Sequence, residues 1–388
     1  MNTKKTSIVF TGDIGFDRYM DRRWEDKQLL SQPVLDFFRS ADHTVANVEG
    51  ALIDAGNDGS RSVCFHSMNP EATRVLQGMG ADIWSIGNNH IMDAGEEGII
   101  STRKIAVELG CRTIGAGLNE TEASEPVYLD EAGGIGIICV AFMNECVPAT
   151  ATEPGIFRWD DLGLIKRRID EIKAKCRWCV VASHGGEEFT SLPNPYTRDR
   201  YIKFLELGAD VVVGHHPHVP ENYELFDGGK AIFYSLGNFI FDTDYQRAHL
   251  YTDRGVLLKL IFTEETMEFE AIGMQTIRGE ERIDIAPLPD VFTHIPAEEY
   301  ALLAPLSAKA FVVEDMRTQT YLNPAKYANA SREVWDNYFF SSDPDGYYEG
   351  EHMDFHVIIP FAKTAEEGHW EKSKLEKVKT HILRQLDE

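Results

Sequence analysis

Short apolar runs alternate with longer amphipathic stretches through the first two thirds of the chain, and this alternation restricts the fold more than any other feature. Runs this short, bounded by glycine and polar residues, read as buried strands, and the longer stretches with apolar residues on one face read as helices. The strand segments are SIVFTGD, HTVANVEG, ADIWSIGNNH, GIGIICVAF, WCVVASHGG, ADVVVGHHPH, AIFYSLGNFIF and RGVLLKLIF. Between them lie the helical segments PVLDFFRSA, PEATRVLQGMG, EEGIISTRKIAVELG (followed by CRTIGAG), DLGLIKRRIDEIKAK and YTRDRYIKFLELG. Gly80, Gly110 and Gly208 follow the last apolar turn of three of these helices, as a C-terminal stop requires. The order predicts an α/β fold, with sheet strands covered by helices on both faces. From about Glu264 the pattern changes. TMEFEAIGMQT reads as a final strand, and AEEYALLAPLSAKAF, NASREVWDNYFF and HWEKSKLEKVKTHILRQL read as a mostly helical remainder. We therefore expect a catalytic α/β domain at 1–263 and a C-terminal extension or small accessory domain at 264–388.

The chain has 388 residues, 43% of them hydrophobic and 26% charged, which is enough apolar material for a sizeable core. Its formal charge of -25 repels phosphate backbones and anionic lipid heads, so no nucleic-acid partner is expected. A small phosphate ester or a peptide stays open, because a bound cation reverses the local sign of the potential. The chain starts MNTKK and then enters the strand-like run Ser7 to Phe10, without an apolar leader. No stretch is long and apolar enough to span a bilayer, and the expected location is the cytoplasm. The cysteines (Cys64, Cys111, Cys139, Cys146, Cys176 and Cys179) are not spaced as a disulfide framework. Cys176 and Cys179 form one CxxC with no second pair, and buried reduced thiols are the expectation.

Polar residues able to bind metal follow the apolar run in strand after strand. Asp13 follows IVFTG, Glu49 follows VANV, Asn89 and His90 follow WSIG, His184 follows CVVAS, and His215, His216 and His218 follow DVVVG. Open α/β sheets bind ligands in the crevice outside the carboxyl ends of their strands, so these residues are expected to converge. GHHPH is the sharpest signal. Successive strand side chains point opposite ways, so the three imidazoles cannot share one side. His216 and His218 are the expected ligands, with His215 pointing away. In GNNH the Asn89 amide oxygen is a hard donor, and His90 is placed to act as an acid or hydrogen-bond donor. YSLGNF adds Ser235 and Asn238 at a further strand end. Arg18, Asn47, Glu188, His215, Ser235 and Asn238 are the candidates for substrate contact.

Together these motifs resemble the calcineurin-like metallophosphoesterase superfamily, and more narrowly the bacterial capsule-synthesis family of poly-γ-glutamate synthesis proteins (CapA or PgsA). The resemblance runs through TGDIGFDR, NVEG, SIGNNHIMDAG, GAGLNETEASEP, SHGGEEF, GHHPHV and YSLGNFIF, in the family's order. It implies a metallophosphoesterase fold of β-sheet layers flanked by helices. It also implies roles. Asp13 matches the first metal-binding aspartate. Glu49 stands where the superfamily has a metal-bridging aspartate, with Asn47 close by. Asn89, His184, His216 and His218 match metal ligands. His90 matches the catalytic histidine, and Asp93 is placed to orient it. The chain departs from the pattern at Gly15, where the superfamily's Asp-x-His has histidine, and at Gly185, where the capsule family has tryptophan. Relatives are commonly anchored outside the cell membrane, and no such anchor is visible here.

The ligand set Asp13, Glu49, Asn89, His184, His216 and His218 mixes oxygen and imidazole donors without thiolate. That suits two divalent ions, with Mn, Zn, Fe or Ni favoured and Mg or Ca fitting the harder position. The first expectation is a hydrolase of a phosphoester or a poly-γ-glutamate- or peptide-related substrate, using a metal-activated water with His90 as general acid. The second, drawn from peptide epimerases related to the capsule family, is proton removal and return at a peptide α-carbon. His294 in VFTHIP is then the candidate second base, and Asp13 is counted among the catalytic groups. The third is a non-catalytic protein that binds polyglutamate. The expected partner is a small-molecule or peptide substrate. The oligomeric state is left open.

Overall fold

A computed structural model describes residues 5–53, 65–142, 146–331, 334–335, 338 and 374–387. Two sheets carry the fold. The first has eight strands, in the order Arg282–Ala286, Met267–Ile277, Arg254–Phe262, Thr6–Ile14, His43–Val48, Ile83–Ser85 and Arg112–Ile114, with Asn238–Ile240 pairing beside the end of Thr6–Ile14. The second has six, in the order Tyr223–Phe226, Lys230–Phe233, Val211–His215, Trp178–His184, Ile135–Ala141 and Val127–Leu129. The site-bearing strands run parallel within each sheet.

The two-residue period of a strand explains how the sheets stack. Ile8, Phe10, Val45 and Ile83 of the first sheet face Ile135, Ile137, Val180 and Val211 of the second in one apolar layer. The alternate residues face outward. Val9, Ala46 and Trp84 pack under Val34, Phe38, Leu76 and Ile99. Ile138, Val140, Val181 and Val212 pack under Ile165, Ile169, Tyr201 and Phe204. The result is a four-layer helix–sheet–sheet–helix sandwich, the mixed α/β fold that the resemblance implies. One expectation is corrected: each sheet carries helices on only one face. A continuously apolar strand shows that both faces are buried, but not whether a helix or another sheet buries each.

A second correction concerns AIFYSLGNFIF, which is not one strand. Lys230–Phe233 pairs in the second sheet and Asn238–Ile240 in the first, with Gly237 between them at φ 67°. This crossing stitches the sheets together at the rim that matters. Gly12 allows it, because a Cβ there would lie 2.0 Å from the Gly237 carbonyl oxygen. The expected helix stops at Gly80, Gly110 and Gly208 do have left-handed backbone, with φ of 70°, 75° and 118°.

Met267–Ile277 is not the last strand, since Arg282–Ala286 follows and pairs with it. A division after residue 263 falls in the turn between two paired strands of the first sheet. Beyond them, the helix Ala297–Leu322 packs with the helix Lys374–Asp387 through Tyr300, Leu303, Leu306, Leu375, Val378 and Ile382. Much of NASREVWDNYFF, the start of HWEKSKLEKVKTHILRQL and Cys64 lie outside the described residues. The other five cysteines are unbridged. Among the described residues, no helix is long and apolar enough to cross a membrane.

Candidate metal centre

The carboxyl ends of the parallel strands from both sheets meet at one rim, and the polar side chains that end them interlock there. Asp13 is fully buried. Its Oδ1 accepts from Asn47 Nδ2 at 2.8 Å, and its Oδ2 accepts from the His216 backbone N–H at 3.3 Å. Asp13 Oδ2 also lies 3.3 Å from His218 Nδ1. Asn89 Oδ1 meets His184 Nε2 at 2.9 Å, joining the two sheets. Glu49 Oε1 lies 3.6 Å from His218 Nε2 and 3.9 Å from both His184 Nε2 and His90 Nε2. Asp13, Glu49 and His184 form one group whose donor atoms all lie within 4.8 Å of one another, and Glu188, His216 and His218 form another.

The backbone of GHHPH is strained where it delivers these rings. His216 has φ 99° and His218 has φ 59°, in the left-handed region that side chains with a Cβ seldom adopt. The strain turns both imidazoles into the rim after the strand has ended. His215, still on the strand, reaches into the fold instead, with Nε2 2.9 Å from the Thr11 carbonyl oxygen.

Electrostatics follow from burial and the gathered carboxylates. Burial alone pulls the buried His218 down, but Glu49, Asp13 and Glu188 together push it up to about 10. Burial and the neighbouring His218 push His216 down to about 3. Burial and neighbouring imidazoles hold His184 well below the usual histidine range. Burial drives Glu49 well above the usual carboxylate range. Both Glu49 carboxylate oxygens are buried without a hydrogen-bond partner. Such a carboxylate is costly in a dry site unless a charge meets it. A cation held by Glu49 and the surrounding imidazoles would remove that cost, so the residues fit the metals their motifs imply. Asn238 supplies the supporting contact a metal-binding histidine needs. Its Oδ1 lies 2.9 Å from His218 Nδ1, and its Nδ2 is tied to Gln246 and the Thr252 carbonyl.

His90 sits beside this cluster. Its Nδ1 meets Asp93 Oδ2 at 2.9 Å and its Nε2 meets Asn89 Nδ2 at 3.1 Å. Burial lowers its pKa, and the contact with Asp93 opposes that.

Residues 7–243 match the family described as bacterial capsule synthesis protein PGA_cap. The chain belongs to this family. A PGA_cap relative, the PGA biosynthesis protein CapA of Bacillus subtilis (strain 168), is 32% identical over 247 residues, covering 62% of this chain and 64% of that protein. The capsule biosynthesis protein CapA of Bacillus anthracis is 28% identical over 257 residues, covering 63% of this chain and 62% of its own length. A Mycobacterium tuberculosis protein named as a polyglutamine synthesis accessory protein is 24% identical over 235 residues, covering 58% and 61%. These matches span under two thirds of each relative's length.

Set against the expected site, the fold gathers Asp13, Asn47, Glu49, Asn89, His90, Asp93, His184, His216, His218 and Asn238. Glu188, expected to contact substrate, shares a donor group with His216 and His218, and Tyr245 donates to its other oxygen at 2.7 Å. Its position two residues beyond the glycines of SHGGEEF is the only sequence hint of that. Ser235 accepts from the Gly237 N–H and shapes the crossing between sheets. Arg18 is exposed on a short turn past Asp17. His294 forms an isolated bridge beside Tyr223–Phe226, the edge strand of the second sheet, where its Nδ1 accepts from the Leu225 N–H and its ring stacks on Tyr223. His66, which the motifs do not single out, stands against His90 with ring centroids 4.3 Å apart.

Proposed function

We propose that this PGA_cap protein is a dinuclear-metal hydrolase of phosphoesters, with poly-γ-glutamate- or peptide-related molecules as the alternative substrate class suggested by its relatives' names. The observation that carries this reading is the bare, fully buried Glu49 carboxylate set between three imidazole nitrogens at 3.6–3.9 Å. Asp13, Glu49, Asn89 and His184 would hold one ion, and Glu188, His216 and His218 the other. Such ions supply a Lewis acid for a phosphoryl or carbonyl oxygen and a water of lowered pKa. The chain's own residues do the rest. Asp93 fixes the His90 ring through Nδ1 and favours its imidazolium form, whose Nε2 proton would pass to the leaving oxygen. Asn47 and Asn238 hold Asp13 and His218 in place through hydrogen bonds.

The same hydrogen bonds favour one second reading. With Nδ1–H directed at Asp93, the His90 Nε2 lone pair faces the rim and suits a base that removes an α-proton from a peptide. Here the partner base comes from another group than His294, which is paired beside the edge strand Tyr223–Phe226.

The test joins metal analysis to a chelator-sensitive screen. The hydrolase reading expects bound Mn, Zn, Fe or Ni and release of p-nitrophenol from phosphate esters. Chelator abolishes that release, and His90→Ala lowers it by about 10²–10⁴-fold. A protein that takes up none of these ions overturns it. Solvent deuterium entering a peptide α-carbon without cleavage replaces it with epimerisation. Saturable polyglutamate binding without turnover replaces it with a binding role.

A further inference from the structure

Gly15 stands where the superfamily's Asp-x-His pattern places an imidazole, and the fold has closed that position. A Cβ on Gly15 would lie 2.6 Å from Cε2 of Phe241. The Phe241 ring in turn packs between two histidines, 5.0 Å from the His218 ring and 5.1 Å from the His66 ring. An imidazole is therefore present on this side of the rim, delivered by a different segment.

The placement of His66 follows from local pairing. Ser67–Met68 pairs in parallel with Ala51–Leu52, the two residues just past Glu49 and Gly50. This brings His66 alongside Gly50, where a Cβ would meet the His66 carbonyl oxygen at 3.0 Å. The side chain is only 7% exposed. Its Nδ1 lies 2.5 Å from Asp17 Oδ2. The His66 backbone N–H donates to Asp93 Oδ2 at 2.8 Å, the same oxygen that meets His90 Nδ1 at 2.9 Å. Two histidine–aspartate pairs thus stand edge to face and are joined through Asp93, with ring planes at 77°. A pair built only to stabilise the fold has no need of a second imidazole packed against the first. With Nδ1 engaged by a carboxylate, the working end of His66 is Nε2.

We propose that His66, held by Asp17, is a substrate-contacting residue of this centre, placing its Nε2 against an anionic phosphoryl oxygen on the side where Gly15 stands in place of the superfamily's imidazole. This rests on the phosphoester reading given above for the site, and it assigns a further binding residue to it. Asp17 acts as counter-charge and orients the ring, so it is a positioning residue. Charge-assisted hydrogen bonds of this kind are about twice as strong as neutral ones.

The test measures binding of inorganic phosphate to the metal-loaded protein by calorimetry, with metal content and thermal midpoint recorded for each variant. His66→Gln is expected to weaken phosphate binding by about tenfold or more, with metal content and midpoint unchanged. Asp17→Asn leaves His66 in place without its counter-charge, and is expected to give a smaller loss of phosphate affinity. It also serves as the second variant should His66→Gln unfold. If the wild type turns over phosphate esters, KM rises in His66→Gln by the same factor. Phosphate binding that depends on His66 upholds the inference even if no ester is hydrolysed, which separates it from failure of the hydrolase reading. Equal phosphate affinity in wild type and both variants overturns it. So does a wild type that binds no phosphate, or loss of bound metal in His66→Gln.

Discussion

Glu49 shows how one side chain can set the chemistry of a whole centre. Its carboxylate is fully buried, lacks a hydrogen-bond partner and is driven well above its ordinary pKa by burial. A group whose folded pKa is raised destabilises the fold at every pH above its unfolded value of 4.5, and ceases to do so below it. Glu49→Gln should therefore stabilise the metal-free protein by about 1–3 kcal/mol at neutral pH while abolishing tight metal binding. Denaturant unfolding in chelator, repeated below pH 4.5, checks the stability gain, which should vanish in acid, and metal analysis of the dialysed variant checks the loss of binding. A glutamine variant that is less stable without metal would mean that attraction to the charged His218 ring, 3.6 Å away, outweighs the cost of burial. His218 makes the opposite prediction. Its pKa is pushed up to about 10, so its charged form stabilises the metal-free site and that contribution is lost as pH rises through about 10. Ligation needs the neutral ring, so metal binding at pH 7.5 should release about one proton and tighten as pH rises. Calorimetry in two buffers of different ionisation enthalpy measures the proton count, and a count of zero removes His218 from the ligand set.

The elements that carry the site were legible because each is a parallel strand buried on both faces, which writes a continuous apolar run ended by one polar residue. Asp13, Glu49, Asn89, His184 and His216 could be found that way from the sequence. The stacking of two sheets could not be, since VVV in a strand is the same whether a helix or a second sheet covers it. The crossing at Gly237 was hidden for a related reason: YSLGNF looks like a turn inside one strand, and only long-range pairing shows that its halves belong to different sheets. His66 left no signal because its place depends on the short parallel pair beside Gly50, too brief for any periodicity. Phe241 brings the same lesson to Gly15. Restoring the superfamily's imidazole by Gly15→His should cost about 1–3 kcal/mol, because the new side chain runs into a packed ring. The double variant Gly15→His with Phe241→Ala should lose less than the sum of the two single changes, since the cavity left by Phe241 receives the imidazole. A double-mutant cycle by thermal unfolding measures this coupling. Strict additivity would mean that Phe241 is not what closes the position.

At the scale of the whole molecule, the C-terminal helices reach the candidate metal centre through the loop that follows His184. Ser307 Oγ donates to the Leu192 carbonyl at 2.6 Å, and Tyr300 OH donates to the Pro193 carbonyl at 2.8 Å. From the last helix, Gln385 Nε2 donates to the Phe189 carbonyl at 2.5 Å. Phe189 is stacked on His249 at 3.7 Å, with the planes 9° apart, and lies 5.9 Å from the His218 ring on its other side. His249 is in turn held by Glu314 of the helix Ala297–Leu322 at 2.6 Å. This loop also carries Glu188, whose other oxygen is fixed by Tyr245, so the C-terminal helix, His249, Phe189 and Glu188 form one packed path to a single donor group. The group of Asp13, Glu49 and His184 stands on strand ends of the two sheets instead. The two proposed ion positions should therefore respond differently to damage in the C-terminal region. His249→Ala removes the ring that Phe189 stacks on and leaves a buried cavity beside Phe189 and Tyr245, which hold the Glu188 segment, so the ion proposed at His216 and His218 should be lost first. Metal analysis of the dialysed variant should give about one ion per chain where the wild type gives two, at a stability cost of about 2–4 kcal/mol. Loss of both ions together would show that the centre binds metal as a single cooperative unit, with the C-terminal helices supporting all of it.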